Sequence, residues 1–309
     1  MANYSPINTW DDRTGVGSIK EDIWGIITNI DVQETQLVSG LGTVPVKSVK
    51  HEWPVSTLAA GNTIFKNAEG FTPNYNDVTD VTRIVNYCQN ISAEVKVTDT
   101  QRIVDTVGYA DRKAEEKSKA LKVLKNRIEA SLMAGAIATG SATVARGMAG
   151  LKDVTTWAVS GHSVLTTSPS GVSLSETQLN DYLANVWSET GSKLNEAYMG
   201  ATLKRRITGF TAGSTLNLDR ADKRLVNATD VYESDFGILK LFLHQYANQG
   251  ATDNDLVMIN SDNVKIGFLA KPMYKETARV GSYDAGWYET EVTCQVNDPR
   301  AMHISKRHK

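Results

Sequence analysis

The longest regular run of apolar positions lies in "ADRKAEEKSKALKVLKNRIEASLMAGAIATG". Ala114, Leu121, Leu124, Ile128 and Leu132 trace one stripe at helical spacing, and Glu115 with Lys119 forms an i,i+4 pair on the wet side. Neither Pro nor Gly interrupts the run before Gly135. The pattern predicts a helix of about 25 residues between about 110 and 137, a spine of roughly 38 Å at 1.5 Å per residue. Its wet side mixes both signs of charge, so it reads as a solvated face rather than a nucleic-acid surface. A second helix carries its own punctuation in "SLSETQLNDYLANVWSETGS". Ser175 and Gln178 fit a capping box, Leu179, Leu183, Val186 and Trp187 form the predicted buried face, and Gly191 is placed to end it. "NEAYMGATLKRRITGF" predicts a short segment and a further helix.

Elsewhere strand formers dominate. Between residues 51 and 97, Val81, Ile84, Val85, Tyr87, Ile91, Val95 and Val97 supply β-branched and aromatic side chains around a tip containing Gly and Asn. This predicts a long hairpin whose arms, about 15 residues each, reach ~50 Å at 3.3 Å per residue. "VYESDFGILKLFLHQY" predicts two strands joined near Gly237, and "DLVMINSDNVKIGFLA" two more joined at Asn260 to Asn263. In "YETEVTCQVNDPRAMHIS", Val292, Cys294 and Val296 share one face before a turn at Asn297 to Arg300. The first 50 or so residues hold one short apolar segment, "EDIWGIITNI", with Ile23, Ile26, Ile27 and Ile30 at helix-like spacing. They read as an arm. Together these elements predict an α+β fold with a mainly antiparallel sheet.

The stretch "HEWPVSTLAAGNTIFKNAEGFTP", His51 to Pro73, is too polar to make a core yet exposes aromatic groups. A two-stranded hairpin alone is marginal in water, so another molecule is expected to cover it. Trp53, Phe65, Glu69, Phe71 and Arg83 on the hairpin, and Ile23, Trp24 and Ile27 on the arm, are therefore the candidate contact residues.

Composition narrows the function classes. At 309 residues the chain exceeds the usual size of one core, so two lobes, or one lobe with extensions, are expected. The 33 Lys and Arg against 35 Asp and Glu leave a formal charge of -2, which removes the argument for a basic nucleic-acid surface. Only 22% of residues are charged, and Thr, Ser, Asn and Gly supply much of the remaining polarity. Cys88 and Cys294 lack metal-type spacing; a disulfide is open to them, but separate reduced thiols are the expected state. The N-terminus has no basic segment followed by an apolar run, and no stretch approaches the roughly 18 apolar residues of a membrane span. Soluble synthesis in the cytosol is expected.

Candidate chemistry is sparse. There is no phosphate loop, GxSxG elbow, HExxH or SxxK motif, and "GVGSIK" lacks the third glycine of a nucleotide loop. His51, His162, His244, His303 and His308 are scattered without metal-ligand spacing. Asp253, Asp255 and Asp262 cluster without the Gly and terminal Glu of a calcium loop, and read as turn formers. No catalytic, cofactor or metal site is predicted.

One resemblance adds to these patterns. "EDIWGIITNIDVQETQLVSGLGTVPVKSVKHEWPVSTLA", then "NAEGF" and "VNYCQNISAEVKVTDTQ", resembles the N-terminal signature of tailed-bacteriophage major head proteins, an E-D arm leading to an H-E-W strand. "RIEASLMAG", "GMAGL", "VYESDFGILKLFLHQY" and "GWYETEVTCQVNDPRAMHI" continue it in order to the end of the chain. Pro54 departs from the pattern, where a residue able to continue a strand ladder is expected.

The resemblance implies the Hong Kong 97-type capsid fold. It implies an N-terminal arm over 1–50, an extended loop over 51–97 and a peripheral domain with the spine helix over 98–150. An axial domain over 151–295 and a C-terminal return to the peripheral region over 296–309 complete it. It further implies hexamers and pentamers closing into an icosahedral head around double-stranded DNA, held without sequence readout. A portal protein and a separate scaffold or decoration protein would be the other partners, because the chain begins at the arm with no scaffolding segment. Location in the virion, assembly in the bacterial cytoplasm, and the absence of cofactor, membrane contact and enzymatic activity follow. Two other classes remain: an encapsulin-like shell around an enzyme cargo, and an α+β enzyme with a dispersed site.

Overall fold

The computed structural model describes residues 35–56, 66, 69–72, 81–104, 111–157, 164–168, 171–211, 231–248 and 254–308. In chain order these form α1 (Gln36–Gly40), β1 (Gly42–Pro45), β2 (Lys50–Val55), β3 (Thr82–Tyr87), β4 (Gln89–Thr98), α2 (Asp99–Ile103) and α3 (Arg112–Ala134). Then follow α4 (Val154–Trp157), β5 (Leu165–Thr167), α5 (Glu176–Thr190), β6 (Glu196–Met199) and α6 (Ala201–Thr211). The chain closes with β7 (Val231–Ser234), β8 (Gly237–Leu243), β9 (Asn254–Ile259), β10 (Val264–Glu276), β11 (Tyr283–Val296) and β12 (Met302–His308).

The spine forms where its stripe predicts. Asp111 caps α3 by accepting the Lys113 amide, Gly135 ends it, and Leu124, Ile128, Leu132 and Met133 are buried along 23 residues. Ala114 is exposed, contrary to the predicted stripe. A single methyl group gives burial little to gain, and the first turn is held instead by Lys113, whose Nζ reaches Glu276 at 2.6 Å and Asp284 at 3.3 Å.

Beneath α3 lies a four-stranded sheet in the order β1-β10-β11-β4, with β1 parallel to β10 and the other pairs antiparallel. Alternation along β4 turns Ile91, Ala93, Val95 and Val97 inward, where they join Val292, Cys294 and Val296 of β11 and the α3 stripe in one core. A second, six-stranded sheet runs β5-β12-β9-β6-β8-β7. On it Leu179, Leu183 and Val186 of α5 and Leu203 and Ile207 of α6 pack against Leu239, Leu241, Leu256 and Met258. Trp187 is half exposed, at 51%, and not on the buried face as predicted. Tyr182 fills the stripe in its place, and the Trp187 ring leans on Phe236, 6.2 Å away.

Three boundaries differ from expectation. The predicted 51–97 hairpin divides: β2 and β3 pair over six residues each, from Lys50↔Tyr87 to Val55↔Thr82, while β4 leaves for β11 because its apolar face needs α3. Most of the hairpin between them lies outside the described residues. The Asn260–Asn263 turn joins two sheets rather than two paired strands, since β9 pairs with β6 and β12 and β10 with β1 and β11. Residues 264–296 therefore sit with the spine, not with the 151–263 segment. Finally, β12 runs between β5 and β9 in the six-stranded sheet rather than returning to the spine. Met302, His303, Ile304 and Ser305 are all buried, as a strand covered on both faces requires.

Candidate assembly interface

The loop stands on a polar and aromatic root. Trp53 is buried at 6% exposure opposite Ile84; its Nε1–H donates to the Val296 carbonyl at 2.9 Å and its ring lies 6.3 Å from Trp157. Asn86, fully buried on β3, donates from Nδ2 to the Cys294 carbonyl at 2.7 Å and accepts the Ala149 amide on Oδ1 at 2.9 Å. His51 Nε2 and Gln295 Oε1 meet at 2.8 Å. These bonds fix β2 and β3 against the end of β11. Pro54 is tolerated because a two-stranded sheet leaves β2 an open edge.

Trp53 is thus corrected from a candidate contact to a member of the subunit's own core. Alternation places it between Glu52 and Pro54 but facing the interior. The other described candidates face solvent: Phe71 is 53% exposed, Glu69 lies in a turn, and Arg83 projects from β3, 3.6 Å from Glu52. Glu52 also pairs with Lys50, which holds its carboxyl below the usual range. Ile23, Trp24, Ile27 and Phe65 lie outside the described residues.

The sequence reading missed a second polar junction. Glu129, a charged residue of α3 that the apolar stripe does not include, is fully buried; its Oε1 accepts the Leu37 amide at 2.8 Å and its Oε2 the Val38 amide at 2.9 Å. His244 completes the junction, its Nε2 lying 2.8 Å from Glu129 Oε1. One carboxylate therefore ties α1, the spine and the end of β8 together. Only its adjacency to Ile128 hinted at burial.

Little in the described residues converges as chemistry. An open groove of about 530 Å³ is lined by Ala134–Ile137, Lys152, Asp153 and Thr155. Lys152 is tied to Asp255 and to the Ala247 carbonyl, while Asp153 accepts from Thr155, Thr156 and the Ile137 amide. Among the described residues no group of three His, Cys, Asp or Glu side chains is placed to hold a metal, and no helix is long and apolar enough to cross a membrane.

The sequence itself matches a known family. The model of the SU10 major capsid protein family aligns with residues 4–307. The chain belongs to the SU10 major capsid protein family. It is a structural protein of the capsid shell, a virion component, and not an enzyme.

Several solved protein shells share the fold. The capsid of cyanophage A-1(L) superposes with a TM-score of 0.70 at 12% identity, over 96% of this chain and 98% of that one. The capsid of the native GTA particle gives 0.67 at 12% identity, over 98% and 100%. The holo-SrpI encapsulin complex of Synechococcus elongatus gives 0.57 at 9% identity, over 93% and 91%. At such identities the likeness shows the fold alone, and that fold is the Hong Kong 97 type. No curated protein matches the capsid protein in sequence.

Proposed function

We propose that this major capsid protein assembles as hexamers and pentamers into the icosahedral head of a tailed bacteriophage, enclosing double-stranded DNA. One observation carries the reading. The loop is fastened at its root by Trp53 and Asn86, yet Phe71, Glu69 and Arg83 project away from the subunit's core. A rigidly rooted extension with an uncovered aromatic side chain gains stability when a neighbouring copy covers it. Arm residues Ile23, Trp24 and Ile27 and loop residue Phe65 are assigned to the same contacts. The six-stranded sheet with α5 and α6 serves as the axial unit, and the four-stranded sheet with α3 as the peripheral one. A portal protein, and a separate scaffold or decoration protein, are the further partners in a head built in the host cytoplasm. A formal charge of -2 suits a wall that holds DNA by enclosure rather than by sequence readout.

Replacing residues 57–80 with a short Gly-Ser turn spares β2 and β3 and tests the reading. The chain keeps its circular dichroism and melting but no longer closes into particles; normal shells from this variant would exclude the loop as an intersubunit clamp. The likeness to the encapsulin complex supports a second reading, a shell around protein cargo. Nucleic acid in purified particles favours the first reading, and a co-purifying enzyme the second.

A further inference from the structure

Two short basic runs lie far apart in sequence: Lys204, Arg205 and Arg206 in α6, and Lys306, Arg307 and His308 at the end of β12. The formal charge of -2 averages over them and hides them. The fold brings them together. Leu203 and Ile207 seat α6 on Leu241 of β8 and on Leu256 and Met258 of β9. Strand β9 pairs in turn with β12, Leu256 opposite Ser305 and Asn254 opposite His308. At 3.6 residues per turn, Lys204 and Arg206 flank the buried stripe of α6 on opposite sides. Lys204 takes the β8 side, where its Nζ donates to the Leu241 carbonyl at 3.3 Å. Arg206 is thereby left on the β12 side. The His308 imidazole, lowered chiefly by burial, is lowered further by the Arg206 charge, as that placement requires.

These arginines differ from others on the surface in being unmatched. Arg83, Arg102, Arg146, Arg279 and Arg300 each lie beside a carboxylate. Among the described residues no carboxylate lies within ion-pair distance of the Arg205, Arg206 or Arg307 guanidinium. The acid nearest in the fold, Asp255, is buried and already engaged: Lys152 pairs with it, and the Arg307 backbone amide donates to its Oδ1 at 3.2 Å. Arg205 and Arg307 are exposed, and Arg206 is half-buried. Arg307 has a φ of 62°, disfavoured for any side chain, and is held there by the bond to Asp255 and by the Gly171 amide on its carbonyl at 3.1 Å. The planar guanidinium fork donates two parallel bonds to a phosphate and is weakly hydrated, so it loses little on leaving water. Unmatched guanidinium groups carried on a helix and a strand end suit a ligand with repeated phosphates, and such contacts need no base to be read.

We propose that Arg205, Arg206 and Arg307 form a sequence-independent contact for the phosphate backbone of double-stranded DNA. The assignment rests on the reading of this chain as the wall around a packaged genome, and it names where on the subunit that genome is touched. Three charges make a contact that is weak and salt-labile, so DNA is held against the wall without being fixed there.

Binding of the purified, unassembled full-length chain to labelled duplexes of two unrelated sequences, followed by fluorescence anisotropy over a range of salt, tests it. Both duplexes bind alike, with a Kd of roughly 1–100 µM at physiological salt and a logarithmic salt slope of about -2.7, from about -0.9 for each of three phosphates. Replacing the three together, Arg205→Gln, Arg206→Gln and Arg307→Gln, removes charge outside the core, so melting stays close to wild type. Affinity then falls at least tenfold and the slope moves toward zero. In the wild-type chain the duplex also shields the peptides carrying these arginines from phenylglyoxal, a readout that needs no variant. Unchanged affinity in the triple variant, arginines that stay fully reactive under saturating DNA, or no binding by the wild type would each overturn the proposal. A triple variant that binds DNA normally but no longer closes into shells would assign the patch to a second copy of the chain instead. Closed wild-type shells without DNA binding remove the patch and leave the shell reading standing; neither shells nor binding removes both.

Discussion

Glu129 Oε1 and His244 Nε2 lie 2.8 Å apart with both side chains fully buried, where the arm helix, the spine and the six-stranded sheet converge. The same carboxylate accepts the Leu37 and Val38 amides. Replacing Glu129 with Ala leaves these donors unpaired in the interior. Unfolding of the dissociated subunit in urea is expected to show a loss of about 3–5 kcal/mol, with Glu129→Gln losing less because one oxygen remains. Amide exchange in the peptide spanning 36–41 should accelerate in both variants. Unchanged stability in the alanine variant would mean that the junction is not a tie.

The loop root and the loop tip should separate in the same assay. Trp53→Phe loses the bond to the Val296 carbonyl and costs about 1 kcal/mol, whereas Trp53→Ala opens the core and costs about 3–5 kcal/mol. Phe71→Ala, at an exposed position, stays within about 0.5 kcal/mol of wild type in the subunit. Equal losses at 53 and 71 would show that the root is not where the structure places it.

The legibility of this fold follows the range of the interactions that build it. Ser175 and Gln178 close their capping box at 3.3 and 3.1 Å, and Gly191 takes a φ of +66°, so α5 is readable from side chains within a few positions of each other. The Asn297–Arg300 turn is equally local, with Asp298 accepting the Arg300 amide. The departure of β4 from the hairpin, the place of β12 between β5 and β9, and the burial of Glu129 and Trp53 depend on partners up to 243 residues away. Alternation marks which face of a strand is apolar but not which sheet will receive it. Among the contact candidates, exposure at Phe71 and Arg83 is readable as polarity around them, while the burial of Trp53 needs the end of β11, which only the fold brings to it.

Acid should weaken the six-stranded sheet through His303. Burial, with His308 nearby, lowers this imidazole to about 4 from its ordinary 6.5; it stacks on Tyr182 at 4.4 Å and meets Thr167 at 3.2 Å. A depressed folded value means that the unfolded chain takes up the proton first. The stability is therefore fully present above about pH 6.5 and falls between 6.5 and 4, by about 3 kcal/mol from this group. His308, also lowered by burial, adds to the slope in the same direction. The urea midpoint of the subunit measured from pH 7 to 4 should drop, and His303→Phe should flatten the curve. A midpoint independent of pH in the wild type would refute this assignment.

The thiols should be silent until the chain opens. Burial pushes Cys88 up to about 11 and Cys294 up to about 12, so neither presents a thiolate at pH 8. Maleimide labelling without reductant should find no reactive thiol in the native protein and two per chain after denaturation. Finding none after denaturation would reveal a disulfide.

Electron microscopy of the purified full-length protein, across a range of salt and protein concentrations, tests the central claim most directly. The account predicts closed shells of uniform size, built from a chain of 33.8 kDa. A field containing only dispersed single chains under every condition would contradict it.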